Sequence, residues 1–186
     1  HPDLDFTITF SEGWKTLNTR QAVIAIAPKG DALLSLGIIG QGTDPAQAAE
    51  ALTEAMYKEH GVKPTASEHI QIGKIPARLV TYKDKGGREP VDLIFVHLAY
   101  QGLIYNFFGV ALEHHRPTIL EVAQSFRPLT YGERTSISET RLRIASAQEN
   151  ETLAKLSIRT QNVWDVKTTA VVNGISADQT LRQGQL

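Results

Sequence analysis

Three apolar stretches, Ala77–Lys83, Val91–Tyr100 and Leu103–Leu112, follow one another with only short glycine-bearing breaks between them. Each is the length of a strand and rich in Val, Ile, Leu, Phe and Tyr, residues that pack well on a pleated surface. Gly86-Gly87 separates the first from the second and Gln101-Gly102 the second from the third. Glycine accepts the positive φ that tight hairpin turns need, so the stretches are expected to pair in sequence as an antiparallel meander. A chain holding such a meander must cover at least one of its faces, and that requirement shapes the reading of the rest.

Upstream, Phe6-Thr7-Ile8-Thr9-Phe10 alternates strictly, which predicts a half-buried strand, and Gly13-Trp14 turns into a short extended piece. The runs Ala22–Ala27 and Ala32–Ile39 flank Pro28-Lys29-Gly30-Asp31, a hairpin signal because Pro fixes φ and Gly frees it. Asp44 is a good N-cap, Pro45 suits the first helical position, and Gln47 can complete a capping box. A helix is therefore predicted from there to Gly61, with Ala48, Leu52, Ala55 and Met56 inward. A second helix follows Pro117, carrying Ile119, Val122, Ala123 and Phe126 on one stripe and stopping at Pro128. Strands, helix, strands, helix predict an α+β sandwich with helices packed on an antiparallel sheet, spanning residues 1–129.

Residues 130–140 are polar and aperiodic and read as a linker. Beyond them, Leu142-Arg143-Ile144 predicts a strand, 151–160 and 165–173 two helices, and Thr180-Leu181-Arg182 the start of a last strand. That gives a minimal βααβ unit over 141–186.

The chain carries 41% hydrophobic and 21% charged residues and a formal net charge of −1. It is ordinary globular material with no field to attract nucleic acid, and no run is long enough to span a membrane. The absence of cysteine rules out disulfides, thiol catalysis and thiolate metal sites. The zinc-protease spacing H-E-x-x-H, the G-x-S-x-G elbow and the phosphate-binding G-x-x-x-x-G-K-[ST] loop do not occur. Glu113-His114-His115 holds two histidines side by side, but neighbours on a helix point about 100° apart. A solvated loop is expected there. His97 shares a strand face with Leu93 and Phe95 and is expected half-buried and hydrogen-bonded. Tyr100, Tyr105, Phe107 and Phe108 are expected in the core, with a groove lined by Tyr100 and Tyr105 as the alternative.

Two stretches carry more than generic signals. Asn150-Glu151-Thr152-Leu153, Asn173-Gly174-Ile175 and Leu181-Arg182-Gln183-Gly184-Gln185-Leu186 together resemble the G-D-T-L, N-G-L and G-Q marks of the LysM module, a βααβ unit that binds peptidoglycan or chitin. Asn150 replaces the usual Gly, which left-handed backbone tolerates, and Glu151 replaces Asp, a better cap. The resemblance makes Asn150, Glu151, Thr152, Asn173 and Gly174 candidate glycan or partner contacts, with Trp164 as the residue that could stack on a sugar or pack beneath the second helix. Phe10-Ser11-Glu12-Gly13-Trp14 and Ser125-Phe126-Arg127-Pro128-Leu129 resemble the opening and closing segments of the PsbP-like αβα sandwich.

In that order, after an opening His1-Pro2-Asp3-Leu4-Asp5-Phe6, the two units resemble the C-terminal half of HtpX-like zinc metallopeptidases of family M forty-eight. What the resemblance implies is a periplasmic bacterial peptidase whose catalytic domain, with its zinc, lies upstream of a chain that starts abruptly at His1. This chain is then expected to hold no catalytic residue, metal or cofactor and to catalyse nothing. Its expected partners are its own N-terminal peptidase domain and peptidoglycan. A free-standing PsbP-like or peptidoglycan-binding protein is the alternative.

Overall fold

A computed structural model describes residues 1–87, 89–137 and 142–185 of the chain. They divide into two compact units, one ending at Ile137 and the other beginning at Ser138.

The first unit is built on a seven-stranded antiparallel sheet. Its strands are β2 (Lys15–Asn18), β3 (Ala22–Ile26), β4 (Ala32–Gln41), β5 (Ala66–Ile72), β6 (Ile75–Asp84), β7 (Val91–Tyr100) and β8 (Leu103–Leu112), in the order β2-β3-β4-β8-β7-β6-β5. The expected meander is present, with Tyr100 opposite Leu103 and Asp84 opposite Val91. Gln101 and Gly102 both take positive φ, 51° and 75°, as a two-residue turn between strands of right-handed twist requires. The sheet is completed by a non-local pairing, β4 on β8, with Ala32 opposite Ala111 and Leu36 opposite Phe107. β5 had no sequence-based expectation. Only Ile72 of its seven residues is fully buried, so as an edge strand it carries almost no apolar pattern.

Helix α1 (Pro45–His60) connects β4 to β5, from the middle of the sheet to its far edge, and its 16 residues reach about 24 Å. Asp44 caps it through the Ala46 amide and Gly61 ends it at φ 68°. Asp44 alone supplies the cap, without the reciprocal bond expected of Gln47. Of the expected inward stripe, Ala48, Leu52 and Met56 are partly buried, whereas Ala55 is exposed and Ala49 is the buried residue. The helix packs through Ala49 and Met56 on Val80, Tyr82, Leu93 and Phe95.

The opposite face carries the main core: Leu34 and Leu36 of β4, Leu79 of β6, Ile94, Val96 and Leu98 of β7, and Tyr105 and Phe107 of β8. Helix α2 (Arg116–Gln124) covers it with Ile119, Val122 and Ala123, and Phe126 follows in the same layer. The predicted strand at 6–10 is shortened to β1 (Phe6–Thr7), which pairs with β9 (Arg127–Pro128). Phe6 stacks on Phe126 at 4.8 Å, and this burial, not a longer ladder, holds the N-terminal segment. Two helices on opposite faces of one antiparallel sheet make the unit an α+β, αβα sandwich.

The segment read as a linker is helical over Tyr131–Ser136 (α3). Thr130 and Glu133 form a full capping box, which the polar composition concealed. Arg127 clasps Glu133 with two nitrogens at 2.8 and 2.7 Å, and Arg134 grips Asp5. Those contacts hold α3 to the sandwich. Residues 138–140 of the expected linker lie outside the described residues.

The second unit packs α4 (Leu153–Arg159) and α5 (Val166–Asn173) around Ala147, Leu153, Ala170 and Leu181. Among the described residues, the flanking strands of the expected βααβ unit do not form. Leu142 and Ile144 are 83% and 86% exposed, so nothing holds that segment extended. The C-terminal segment makes one bridge, Thr180 with Thr152, and the bonds Leu181 N to Glu151 O and Ala147 N to Gln185 O. Arg141 and Leu186 of the predicted strands lie outside the described residues.

Candidate functional site

The residues singled out in the second unit occupy the ends of its two helices. Asn150 takes left-handed backbone, φ 57°, before α4, and Gly174 does the same, φ 63°, after α5. Both conformations are the ones that Asn and Gly tolerate best. Thr152 is the N-cap of α4 and accepts from the Lys155 amide. The side-chain amide of Asn173 donates to the Thr169 carbonyl, turned along its own helix.

Glu151 is buried and accepts three hydrogen bonds from two residues. Arg159 meets its two oxygens at 2.8 Å each, and the Gln148 amide donates at 2.9 Å. The Arg159 guanidinium, seconded by that amide, holds the Glu151 carboxyl down at about 2. Its structural task is therefore to tie α4 to the entering loop, where Arg159 also reaches the Ser146 carbonyl. Trp164 stands outside the small core and is 37% exposed, its backbone amide turned to Asn162 Oδ1. An exposed indole next to a helix start can stack on a sugar ring; a Trp packed beneath the helix could not.

In the first unit, Tyr105 is buried and Tyr100 packs against the same core, edge-on to Phe126. Tyr100 also donates to the Asp5 carbonyl at 3.0 Å, so the pair completes the core and the N-terminal tie, not an open groove. Two open grooves flank α1 instead, about 380 and 570 Å³, with Arg78 bordering both. The first is edged by Asp44 and His69 and the second by Glu54 and Lys63. Asp44 caps a helix and Glu54 is paired with Lys58 at 2.7 Å, so these acids are engaged structurally.

The histidines depart from expectation. His97 is 2% exposed, deeper than a half-buried position, and neither ring nitrogen has a hydrogen-bond partner among the described residues. Burial alone pushes its pKa down to about 4. His114 and His115 lie on a 3₁₀ turn, Glu113–His115, between β8 and α2; His114 is exposed, whereas His115 is half-buried. Their rings are 4.2 Å apart and both reach the carboxylate of Asp31. The solvated segment expected there holds for Glu113 and His114, but the shared contact with Asp31 was not expected, because no local spacing encodes it. Asp31 closes the β3–β4 hairpin, far upstream in the chain, and the β4–β8 pairing is what sets it beside the two histidines.

No protein-family profile matches the chain, and no curated protein sequence does. Among solved structures, the cyanobacterial PsbP protein CyanoP from Synechocystis sp. PCC 6803 is similar at a TM-score of 0.53 and 13% identity, covering 68% of this chain and 88% of that one. A Bacteroides thetaiotaomicron protein is similar at a TM-score of 0.48 and 9% identity, covering 69% and 47%. LpqN of Mycobacterium tuberculosis, involved in cell envelope biogenesis, scores 0.37 at 18% identity, covering 64% and 78%. The likeness to CyanoP shows that the chain contains a PsbP-like fold. Among the described residues, no helix is long and apolar enough to cross a membrane.

Proposed function

We propose that this chain is a non-catalytic accessory region of a bacterial periplasmic zinc metalloendopeptidase. In this reading the sandwich docks on the catalytic domain or presents substrate to it, and the second unit, a degenerate LysM-like module, tethers the enzyme near the cell wall. The observation that carries the proposal is the succession itself: a PsbP-like sandwich followed in the same chain by a compact helix pair with Asn150 and Gly174 left-handed at its turns. The sheet adds support. Leu17 and Ile26 are 60% and 42% exposed, and their registers with Ile24 and Leu33 put all four on the face whose other half α1 covers. An adjoining domain could cover such apolar surface.

The test has two arms. The full-length gene product should carry an H-E-x-x-H motif upstream of His1; a start codon immediately before His1 would favour a free-standing PsbP-like or glycan-binding protein. The chain alone, given zinc and unfolded casein, should cleave nothing. Chelator-sensitive cleavage that copurifies with the chain would overturn the non-catalytic reading.

A further inference from the structure

We propose that Asp31, His114 and His115 form a binding site for a zinc-class divalent cation. This goes beyond the accessory reading and does not depend on it. The placement is non-local. Asp31 ends the turn that starts β4, and the pairing of Ala32 with Ala111 sets that turn beside the end of β8. The Leu112 amide donates to the Asp31 carbonyl at 3.4 Å, which fixes the approach. The chain then enters the 3₁₀ turn, and both imidazoles come round to the same carboxylate.

The geometry suits a metal. His115 Nε2 lies 3.0 Å from Asp31 Oδ1 and His114 Nε2 lies 3.8 Å from Asp31 Oδ2. One ligand atom from each of the three residues falls within 4.8 Å of the others. Nitrogen and oxygen ligands about 2.1 Å from one zinc ion sit roughly 3.4 Å apart in a tetrahedron, so small side-chain adjustments close the set. Asp31 Oδ1 and His115 Nε2 are shut off from solvent and face each other. At 3.0 Å the two atoms pair as ions when His115 carries a proton, and a cation held between them would take that proton's place. Trp14 stands edge-on to His115 at 6.2 Å. His114, 63% exposed, leaves the outer side open to water ligands.

Two imidazoles and one carboxylate select borderline ions such as zinc, cobalt or nickel over calcium and magnesium, which prefer all-oxygen shells. The neighbouring Glu113 pairs with Lys83 at 3.4 Å and is not counted among the three ligands.

The test uses the whole chain, stripped with chelator and titrated with zinc by calorimetry and with cobalt by visible absorption. One ion per chain should bind, with cobalt giving the bands of a nitrogen–oxygen shell. His114→Ala, His115→Gln and Asp31→Asn should each weaken binding by at least ~10–100-fold, the loss seen when even an outer partner of a metal ligand is removed. His1→Ser, His60→Ala and His69→Ala should leave it unchanged. His114 is largely exposed, so His114→Ala keeps the test sound even if a change at His115 unfolds the turn. Equal affinity in His114→Ala and the unaltered chain would overturn the proposal, as would binding lost in His1→Ser.

Discussion

His97 packs beside Phe95, rings 6.5 Å apart and nearly parallel, on a strand face that α1 helps to close. Charging it there would strip an imidazolium of water with no partner to replace the water, and this is why its pKa falls to about 4. The consequence for stability has a definite sign. The unfolded chain takes up the proton near pH 6.5 while the folded one does not until about 4. Stability is thus fully present above pH 6.5 and is lost as pH falls from there towards 4, at up to about 1.4 kcal/mol per pH unit. Urea midpoints at pH 7 and pH 5 should show this decline, and His97→Leu should flatten it. The carboxylates with lowered pKa, Asp5 held by Arg134 and Glu151 by Arg159, act below the ordinary carboxylate range, so their effect sits at lower pH. An unchanged slope in His97→Leu would mean that the ring is not buried neutral.

At the scale of elements, the seating of α2 on the sheet depends on one missing side chain. A Cβ at Gly109 of β8 would stand 2.8 Å from Ile119 Cγ2, and Ile119 is fully buried beneath its helix. Neither the strand nor the helix can yield without disturbing the core between them. Gly109→Ala should therefore cost about 1–3 kcal/mol, the range for overpacking, and lower the calorimetric melting temperature of the first unit. Trimming the opposing residue in the pair Gly109→Ala/Ile119→Val should restore part of the loss. A neutral or stabilising Gly109→Ala would show that α2 rides higher on the sheet than described.

For the whole molecule, the division between the units falls inside the expected segment 130–140, after α3. Arg134 lies inside α3 and is bonded to Asp5, whereas Arg143 is exposed in a segment without regular structure. Native trypsin should cut at Arg143 well before Arg134, because a site must open locally to be cleaved. Mass spectrometry of the C-terminal fragment reads the outcome directly. Early cleavage at Arg134 would mean that the capping box and the two arginine clasps do not hold the helix.

What the sequence determined by itself was local. Alternation and glycine turns specified the β6-β7-β8 meander, Asp44, Pro45 and Gly61 bounded α1, and the Ile119–Phe126 stripe marked the layer over the core. Each signal acts between residues a few positions apart, where side-chain spacing and backbone preference are written directly in the chain. Only the tertiary structure decided the rest. The pairing of β4 with β8 brings Asp31 to His114 and His115, a meeting that no local period encodes. Burial converted His97 from an expected hydrogen-bonded residue into a neutral one, and Glu151 from a surface candidate into a tie for α4. Among the described residues, the second unit kept its two helices but not its strands, and its small core leaves Leu142 and Ile144 exposed.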